Sequence, residues 1–443
     1  MFDSFISSFL MKSFLSYVEH LHNIVSTVLA NGVTPALANS IDIALDGEPS
    51  KQLRSTVKLS DLRRSGIFFT PSHLRNALAE RTISTLSSKS VVVDIACGVG
   101  DLFIGLTPKL GKGGDLSSTL ELWGKQLIGH DIFMEFVNAA KLRLVLAGIL
   151  QGHQSNIAIV PDLDLLFPGI TARNGLLCAD SIERATHIIM NPPYTKVTPP
   201  QDCTWASGKV NAAAVFVDFC VSNASNGTKL VAILPDVLRS GSNYKKWRSQ
   251  LEAKAEILET ECLGQFDKHA DVDVFILELE VRRDSSMRDS KLWEPAADGQ
   301  HFKVRGKFSV HVGAVVEYRD PHEGKTYPYL TPQNAPPWAT IWGLEKQRRF
   351  SGATFTPPFV VVRRTSRKGD RYRAVPTVVD MSEPVAVENH LLVLIPHSGE
   401  LGDCYELVEV LKMEETSSWL NQRISCRHLT VSALADLPWW ERQ

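Results

Sequence analysis

From residue 91 onward, short apolar runs alternate with stretches of helical periodicity. The apolar runs have the length and composition of buried strands, whereas stretches such as residues 133–147 and 210–222 repeat apolar positions at helical spacing. The predicted strands are residues 91–95, 126–130, 156–160, 175–179, 187–190, 229–234 and 272–279. Strands that alternate with helices predict an α/β fold, with a doubly wound, largely parallel sheet covered by helices on both faces.

The two ends of the chain show other patterns. Residues 1–60 are mainly helical in pattern, and an amphipathic helix over residues 5–30 is expected to pack onto the main domain. Past residue 283, turns rich in Pro, Gly, Ser and Asp separate isolated strand-like pieces, which are residues 310–318, 359–363, 375–379 and 390–395. We predict three parts, namely a helical segment at 1–60, an α/β domain at 61–282 and an irregular, β-rich α+β domain at 283–443.

Composition changes this picture little. The 443 residues have a formal net charge of -2, with 44% hydrophobic and 22% charged residues, which is typical of a globular protein of two or three domains. This balance neither demands nor excludes a nucleic-acid partner, because DNA binding needs only a local basic surface. Seven cysteines without a CxxC pair predict reduced thiols in a cytoplasmic protein. No apolar stretch reaches 18 residues, which predicts the absence of a membrane span.

The most informative segment is the tetrapeptide Asn-Pro-Pro-Tyr at 191–194, which directly follows a predicted strand. Open parallel sheets bind ligands beyond the carboxyl ends of their strands. Pro192 and Pro193 restrict the backbone and leave its carbonyls to project. The side-chain oxygen of Asn191 and the carbonyl oxygen of Pro192 could then accept both hydrogens of an amino group on an aromatic ring, which would stack on Tyr194. Similar turns occur without function, so the tetrapeptide alone leaves both interpretations open.

A second segment combines a glycine turn with acidic residues. Gly98 and Gly100 follow the predicted strand 91–95 and allow the backbone to approach a ligand closely, although the GxGxxG pattern of a phosphate cradle is missing. Acidic residues lie at the ends of three predicted strands, namely Asp94, Asp131 and Asp180. An acid after the second strand suits ribose hydroxyls, and one after a later strand could accept a hydrogen bond from an adenine amino group.

Two further segments flank these motifs. Residues 66–71, Gly-Ile-Phe-Phe-Thr-Pro, predict a turn followed by a helix that begins near Pro71, for which Thr70 and Ser72 are natural caps. Downstream, Phe266 precedes the predicted strand 272–279. On the sequence alone its side chain is either an ordinary core residue or part of a ligand pocket.

Taken together, these segments resemble the gamma-class N6-adenine DNA methyltransferases, in which a GxFxTP-type segment precedes the cofactor half, the NPPY segment and a target recognition domain. The resemblance covers residues 60 to about 280. It implies a Rossmann-like methyltransferase sheet, S-adenosylmethionine as cofactor, no metal, and methyl transfer to N6 of an adenine flipped out of double-stranded DNA. Two residues depart from the family pattern: Asp101, where a small residue is more usual, and Ser181.

The resemblance also implies residue roles. The implied catalytic residues are Asn191, Pro192, Pro193 and Tyr194. The implied cofactor-binding residues are Thr70, Asp94, Ala96, Cys97, Gly98, Gly100, Asp131, Ile132, Asp180, Ser181 and Asn191. The implied pocket for the target base consists of Phe68, Tyr194 and Phe266. Within this set, Asp94 corresponds to contact near the cofactor's amino group, Asp131 to its ribose and Asp180 to its adenine.

The C-terminal third contains a basic run. Residues 346–373 include nine basic residues and one acid, Asp370. Such a run suits a phosphate backbone and the edges of guanine, although a solvated loop has the same composition. Beside the methyltransferase-like segment, it predicts a DNA-binding loop formed by Arg363, Arg364, Arg367, Lys368, Arg371 and Arg373.

Other functions stay open on the sequence. The same tetrapeptide could hold another planar amine or amide, as in N4-cytosine, RNA guanine or protein glutamine methylation. A catalytically silent DNA-binding subunit of a defence complex is the alternative from a different class. The favoured biological role is the modification part of a restriction-modification or phage-defence system, with a restriction endonuclease or another defence subunit as a possible partner.

Overall fold

The structure is a computed structural model, and it describes residues 4–151, 156–267, 269–270, 272–283, 293, 302–366, 370–423 and 429–440. The contacts within the chain divide it into two compact units. The first unit comprises Met1–Arg239 and Asn243–Leu292, and the second comprises Ser240–Ser242 and Trp293–Gln443. The predicted helical segment at 1–60 is therefore part of the first unit, and the division near residue 292 lies beyond the boundary predicted at 282.

The secondary structure consists of α-helices, strands and short 3₁₀ turns. The α-helices are α1 (Ser4–Asn31), α2 (Pro35–Leu45), α3 (Glu48–Thr56), α4 (Leu59–Ser65), α5 (Ser72–Ile83), α6 (Asp101–Leu106), α7 (Leu116–Gln126), α8 (Met134–Leu150), α9 (Leu163–Leu166), α10 (Ala179–Glu183), α11 (Ala212–Asn223), α12 (Val237–Ser240), α13 (Lys245–Lys254), α14 (Leu401–Lys412), α15 (Glu414–Arg423) and α16 (Val431–Asp436). The strands are β1 (Val92–Asp94), β2 (Leu127–Asp131), β3 (Ile170–Ala172), β4 (His187–Met190), β5 (Lys196–Val197), β6 (Val210–Asn211), β7 (Lys229–Pro235), β8 (Ala255–Gln265), β9 (Asp273–Val281), β10 (Phe308–Val312), β11 (Lys325–Leu330), β12 (Thr340–Ile341), β13 (Gln347–Phe350), β14 (Phe359–Arg363), β15 (Pro376–Val379), β16 (Ala386–Val387) and β17 (Leu391–Pro396).

The first unit is built on a seven-stranded sheet with the order β3-β2-β1-β4-β7-β9-β8. Across the sheet from β3 through β2, β1 and β4 to β7, neighbouring strands are parallel. Strand β9 runs antiparallel to both β7 and β8. All four residues of β4 are buried, and successive side chains of a strand point to opposite faces. Both faces of the sheet are therefore covered, as a sheet with parallel strands requires.

Two of the predicted strands are wrong. Residues 156–160 have no regular secondary structure, and residues 175–179 form a 3₁₀ turn, Gly175–Leu177, followed by the start of α10. The side chain of Asn174 accepts a hydrogen bond from the backbone of Leu176 and begins this turn. This apolar run is not buried throughout, since Leu177 is 77% exposed. The third strand of the sheet is instead the short β3.

Strand β8 was not predicted. It pairs along its length with β9, but many of its side chains are polar and only partly buried. A strand at the edge of a sheet lacks the continuous apolar run that identifies a central strand. The hairpin of β8 and β9 matters for the site, because the segment that connects its strands contains Phe266.

The N-terminal helices pack into the core of the first unit. The predicted helix at residues 5–30 is α1, which lies against α8. The ring of Phe14 is 5.8 Å from that of Phe69 and 4.9 Å from that of Phe136. These contacts join α1 to the segment before α5 and to α8.

The second unit contains a five-stranded sheet, β10-β17-β14-β15-β12, and a three-stranded sheet, β13-β11-β16. Alternate residues of β14 pack into two separate hydrophobic cores. Val360 and Val362 pack in a cluster with Leu407 of α14, and Phe359 and Val361 pack in a second cluster. The predicted strands at 359–363, 375–379 and 390–395 correspond to β14, β15 and β17, and helices α14–α16 also belong to this unit.

None of the helices in the described part of the chain combines the length and the apolar composition that a membrane span requires.

Candidate functional site

The tetrapeptide at 191–194 leaves the sheet at the carboxyl end of β4. Asn191 is half-buried there, between β1 and β7 in the strand order. The Tyr194 hydroxyl donates to the side-chain oxygen of Asn191 at 2.7 Å, and the carbonyl oxygen of Ile233 on β7 is also within 3.1 Å of it. Burial raises the pKa of the Tyr194 phenol, so the hydroxyl remains a neutral donor. One phenol proton can therefore satisfy either of two oxygens.

Thr70 contacts the other end of the Asn191 amide. The Asn191 side-chain nitrogen donates to the Thr70 hydroxyl oxygen at 2.9 Å. Helix α5 begins where the sequence predicts, but its N-cap is Pro71 and no side chain caps it. The prediction that Thr70 and Ser72 cap this helix was wrong, because the Thr70 hydroxyl is engaged by Asn191, 121 residues later in the chain.

A cavity of about 240 Å³ lies beside the tetrapeptide. Its lining residues are Arg63, Gly66, Phe68, Asn191, Pro192, Tyr194, Phe266, Ala270 and Val272. The Phe266 ring is 6.3 Å from that of Phe68 and 6.0 Å from that of Tyr194, edge-on in both cases. The structure thus brings together all three aromatic residues predicted for the base pocket and places Asn191 at the same cavity. Sequence reasoning had not singled out Arg63, Ala270 or Val272.

Gly66 lets the backbone come close to the tetrapeptide. Its φ of +67° lies in the left-handed region, and a Cβ there would meet the Thr195 side chain at 2.6 Å. Only glycine fits such a conformation and such a contact without strain. The glycine of the Gly-Ile-Phe-Phe-Thr-Pro segment is therefore a requirement for closing one side of the cavity.

The wall that contains Phe266 is held by backbone and side-chain hydrogen bonds. The Phe266 N–H donates to the carbonyl of Val272 at 2.8 Å, which closes the connection between β8 and β9. Within it, the Asp267 carboxylate accepts from the backbone N–H of His269 at 2.6 Å. The Arg63 guanidinium of α4 donates to the His269 carbonyl at 2.6 Å. Arg63 therefore ties this wall to the helix that precedes Gly66.

Two buried carboxylates lie at the ends of β1 and β2. Burial, together with the charge of Asp131, raises the pKa of Asp94 to about 7, although the Ala96 N–H donates to it at 3.0 Å. Burial raises the pKa of Asp131 to about 6, and its carboxylate accepts from the backbone N–H groups of Gly98 and Phe133, both at 3.0 Å. Each carboxylate oxygen has two lone pairs, so Asp131 can accept further hydrogen bonds.

The glycine turn joins these two strand ends. Gly98 and Gly100 have φ values of +51° and +77°, and a Cβ on Gly100 would meet the Ala140 side chain of α8 at 3.1 Å. Cys97, directly before Gly98, is buried, which raises its pKa and leaves it an uncharged thiol. Its backbone N–H donates to the carbonyl of His130 on β2 at 3.0 Å.

Asp180 does not follow a strand, contrary to the prediction. It is exposed in the first turn of α10. The neighbouring Ser181 is buried, and its hydroxyl lies 2.9 Å from Nε2 of His130, whose pKa is lowered by burial. Ile132, directly after Asp131, is 44% exposed. These positions leave Asp180 and Ile132 accessible, whereas Ser181 packs inward.

Asp101 and Arg143 form a buried ion pair that sequence reasoning missed. The Arg143 guanidinium of α8 donates to the Asp101 carboxylate at 2.8 Å, and the backbone N–H of Thr70 donates to the other carboxylate oxygen at 3.1 Å. The unusual acid after the glycine turn was visible in the sequence. Its partner, 42 residues away on a helix, was not.

The predicted DNA-binding residues fall into different environments in the second unit. Arg363 and Arg371 are exposed, and Arg364 is half-buried with its guanidinium donating to the carbonyl of Asn389. Arg367 and Lys368 lie outside the described residues. Arg373 is fully buried, and its guanidinium donates to Ser366 at 3.0 Å and to Asn421 at 2.6 Å. The prediction for Arg373 was wrong, because this side chain is buried inside the second unit and hydrogen-bonded there.

Comparison with known proteins connects this site to a family. The N-6 DNA Methylase family model matches residues 58–263, which include Gly66, the glycine turn and the tetrapeptide. The Type II methyltransferase M.BsuBI of Bacillus subtilis is 26% identical over 208 residues, which are 46% of this chain and 40% of that protein. The match therefore spans less than half the length of this curated relative.

Two solved structures are also similar. The type IIG restriction endonuclease BpuSI is 12% identical with a TM-score of 0.45, over 97% of this chain and 70% of that chain. A putative class I S-adenosylmethionine-dependent methyltransferase from Listeria monocytogenes is 17% identical with a TM-score of 0.34, over 63% of this chain and 91% of that chain. Over residues 58–263 the chain is therefore similar to the N-6 DNA Methylase family, and this likeness rests on the sequence matches.

Proposed function

We propose that this chain is a site-specific DNA methyltransferase that methylates N6 of adenine in double-stranded DNA, with S-adenosylmethionine as the methyl donor. One observation supports this most directly. The Asn191 amide and the rings of Phe68, Tyr194 and Phe266 surround one cavity at the carboxyl end of β4. A planar base with an exocyclic amino group matches an apolar, aromatic cavity with a polar amide at its edge.

The residues near the glycine turn fit the proposed cofactor. Asp94 and Asp131 are acidic, buried and close enough for the charge of one to raise the pKa of the other. A buried carboxylate gains most from a cationic or hydroxyl-bearing partner. Asp94 would thus hold the amino group, Asp131 the ribose hydroxyls and the accessible Asp180 the adenine. S-adenosylmethionine supplies a methyl group already activated by its positive sulfur, so the proposal includes no metal.

The remaining predicted residues surround these acids. Thr70, Ala96, Cys97, Gly98 and Gly100 would present backbone and hydroxyl groups to the methionine part of the cofactor, and Ile132 and Ser181 would border its adenine. The positive φ of the two glycines keeps Cβ atoms away from this backbone. Asn191 would be shared between the cofactor side and the target-base side.

At the target, the chain's own groups prepare the amino nitrogen. The lone pair of an amino group on an aromatic ring is delocalised into the ring, which makes the nitrogen a weak nucleophile. Hydrogen bonds from that group to the side-chain oxygen of Asn191 and the carbonyl of Pro192 favour a pyramidal nitrogen. When Tyr194 donates its proton to Ile233, both lone pairs of the Asn191 oxygen are free to accept. Pro193 fixes the backbone between these groups.

The proposed target recognition domain is the C-terminal part of the chain, residues 283–443, which contains most of the second unit. Exposed Arg363 and Arg371 would contact DNA phosphates or guanine edges, together with Arg364, Arg367 and Lys368. The proposed biological role is the modification activity of a restriction-modification or phage-defence system, with a cognate endonuclease or another defence subunit as partner.

The test is methyl transfer from tritiated S-adenosylmethionine to unmethylated bacterial DNA by the full chain, followed by nucleoside analysis. We expect labelled N6-methyl-2′-deoxyadenosine from the wild type and none from Asn191→Ala, with cofactor binding retained in the variant. Labelled N4-methylcytosine, or label transferred only to RNA or protein, would replace this proposal with one of the alternatives. Absence of transfer to any of these would favour the silent DNA-binding subunit.

A further inference from the structure

A chain of hydrogen bonds reaches the nitrogen end of the Asn191 amide. The Asn191 side-chain nitrogen donates to the hydroxyl oxygen of Thr70 at 2.9 Å. The backbone N–H of Thr70 donates to one carboxylate oxygen of Asp101 at 3.1 Å. Arg143 donates to the other carboxylate oxygen at 2.8 Å. Asn191 is thereby linked through Thr70 and Asp101 to a guanidinium on α8.

The far end of this chain is rigid. Arg143 has no exposed surface, and its remaining N–H groups donate to the carbonyls of Val99 at 2.5 Å, Ala44 at 2.9 Å and Leu45 at 3.2 Å. A buried charge is tolerated only when it is paired and hydrogen-bonded. Because the guanidinium is held by backbone groups of α2 and of the glycine turn, it fixes the Asp101 carboxylate in turn.

The Asn191 amide needs such an external restraint. The terminal torsion of an asparagine side chain has a broad energy profile, so packing alone does not fix the plane of its amide. Here the oxygen end accepts from Tyr194 and the nitrogen end donates to Thr70. The Thr70 hydroxyl is available for this because it does not cap α5.

We propose that Asp101, held by Arg143, is a positioning residue for the methyl-acceptor site: it fixes Thr70 and, through the Thr70 hydroxyl, the plane of the Asn191 amide. This inference rests on the proposed function, in which the Asn191 oxygen accepts a hydrogen of the target amino group. A merely structural ion pair would change stability and leave the Asn191 amide as it is.

Three variants separate these roles in the full chain. Thr70→Val keeps the backbone N–H that Asp101 accepts and removes only the hydroxyl. Asp101→Asn keeps the side-chain shape but replaces one acceptor by a donor, so the contact with either Arg143 or Thr70 is lost. Thr82→Val is the control threonine variant, because the Thr82 side chain is buried in α5 and its hydroxyl donates to the carbonyl of Leu78 at 3.0 Å.

The first measurement is the single-turnover rate of methyl transfer at saturating S-adenosylmethionine, together with its dissociation constant. We expect Thr70→Val and Asp101→Asn each to slow transfer by about tenfold or more. The variant that combines Thr70→Val and Asp101→Asn should be slower than the slower single variant by less than about threefold, because both substitutions act through the same hydrogen bond to Asn191. Cofactor affinity of Asp101→Asn should stay within about threefold, and Thr82→Val should transfer at nearly the wild-type rate. Thr70→Ser, which restores a hydroxyl, should recover part of the rate lost in Thr70→Val.

The second measurement does not depend on methyl transfer. In protein labelled with ¹⁵N-asparagine, the side-chain amide resonance of Asn191, assigned by its loss in Asn191→Ala, should shift in Thr70→Val and Asp101→Asn and stay in place in Thr82→Val. An unchanged resonance in Asp101→Asn would overturn the positioning role even if the wild type methylates DNA. So would additive losses of rate, or a loss confined to cofactor affinity. If the wild type transfers no methyl group, the proposed function fails, and the resonance shifts still decide the positioning role.

Discussion

The hydroxyl group of Tyr194 donates a hydrogen bond of 2.7 Å to the side-chain oxygen of Asn191. That oxygen is the atom proposed to accept a hydrogen from the target amino group, so the free protein satisfies it with its own residue. Because the phenol proton can instead be donated to the carbonyl of Ile233, the arrival of a base requires only a change in the direction of one O–H bond.

This arrangement separates the two contributions of Tyr194. Tyr194→Phe removes the hydroxyl and keeps the ring, so we expect single-turnover methyl transfer within about threefold of the wild type, with a stability loss of about 1 kcal/mol from the lost hydrogen bond. Tyr194→Ala also removes the stacking surface and should slow transfer by roughly 5- to 150-fold, the range that base stacking contributes. If both variants lose activity equally, the hydroxyl and not the ring is the important group.

Cofactor binding should depend on pH through Asp94 and Asp131. Their pKa values are raised to about 7 and about 6, so both carboxylates are ionised above pH 7 and become protonated as the pH falls through these values. A cofactor with a cationic amino group prefers the ionised form of Asp94. Affinity for S-adenosylmethionine should therefore rise from pH 5.5 to 8, by up to about tenfold per pH unit below pH 7.

Calorimetric titration across this pH range measures the effect, and Asp131→Asn should remove the inflection near pH 6. The stability of the cofactor-free protein should instead fall as the pH rises. Since both pKa values are raised above the unfolded value of about 3.9, their stabilising contribution is fully present below pH 4 and is lost as the pH rises through 6 and 7. Cofactor affinity that is flat between pH 5.5 and 8 would exclude these carboxylates from the cofactor site.

Gly175 should be intolerant of a side chain. A Cβ at this position would lie 2.0 Å from the carbonyl oxygen of Ile95, so Gly175→Ala must displace the 3₁₀ turn or the end of β1. We expect a stability loss of about 1–3 kcal/mol, together with weaker cofactor binding because Ala96 and Asp180 move. Gly114→Ala is the control, since nothing lies within 4 Å of its Cβ. Urea denaturation compares the two, and equal stability would contradict the close approach.

The basic run of the second unit should divide into two classes. Arg371 is exposed, so Arg371→Ala should weaken DNA binding and reduce the slope of log affinity against log salt by about 1 for a phosphate contact. Arg373 is buried against Ser366 and Asn421, so Arg373→Ala should instead lower stability by about 1–3 kcal/mol. A folded Arg373→Ala protein with a reduced salt slope would reverse this assignment.

The sequence predicts best what is encoded within a few neighbouring residues. Strands β1, β2, β4, β7 and β9 each contain a short apolar run. The tetrapeptide directly follows one of these strands, so its place at the carboxyl edge of the sheet follows from the pattern. The run at 175–179 is equally apolar but forms a turn, because Gly175 packs on the backbone of Ile95. Periodicity contains no information about such a distant contact.

Pairings between distant residues account for the other differences. Arg371 and Arg373 are two residues apart in the same basic run, yet one faces solvent and the other lies inside. Charge alone does not distinguish them, because the partner Asn421 lies 48 residues from Arg373. The Thr70 hydroxyl was expected to cap a helix because the sequence shows only which residues are its neighbours in the chain. Its actual partner, Asn191, was recognised separately, and nothing local to either residue indicates that they meet.

The hydrogen bonds from Arg143 to Ala44 and Leu45 have a practical consequence for dividing this protein. Similarity to the family begins at residue 58, but a fragment cut there would lose the two carbonyl oxygens that hold the guanidinium and would strip Phe14 from Phe69 and Phe136. A catalytic module transplanted into a chimera should therefore include the helices from α1 onward. The boundary of sequence similarity at residue 58 is therefore not the boundary of a fragment that keeps its stabilising contacts.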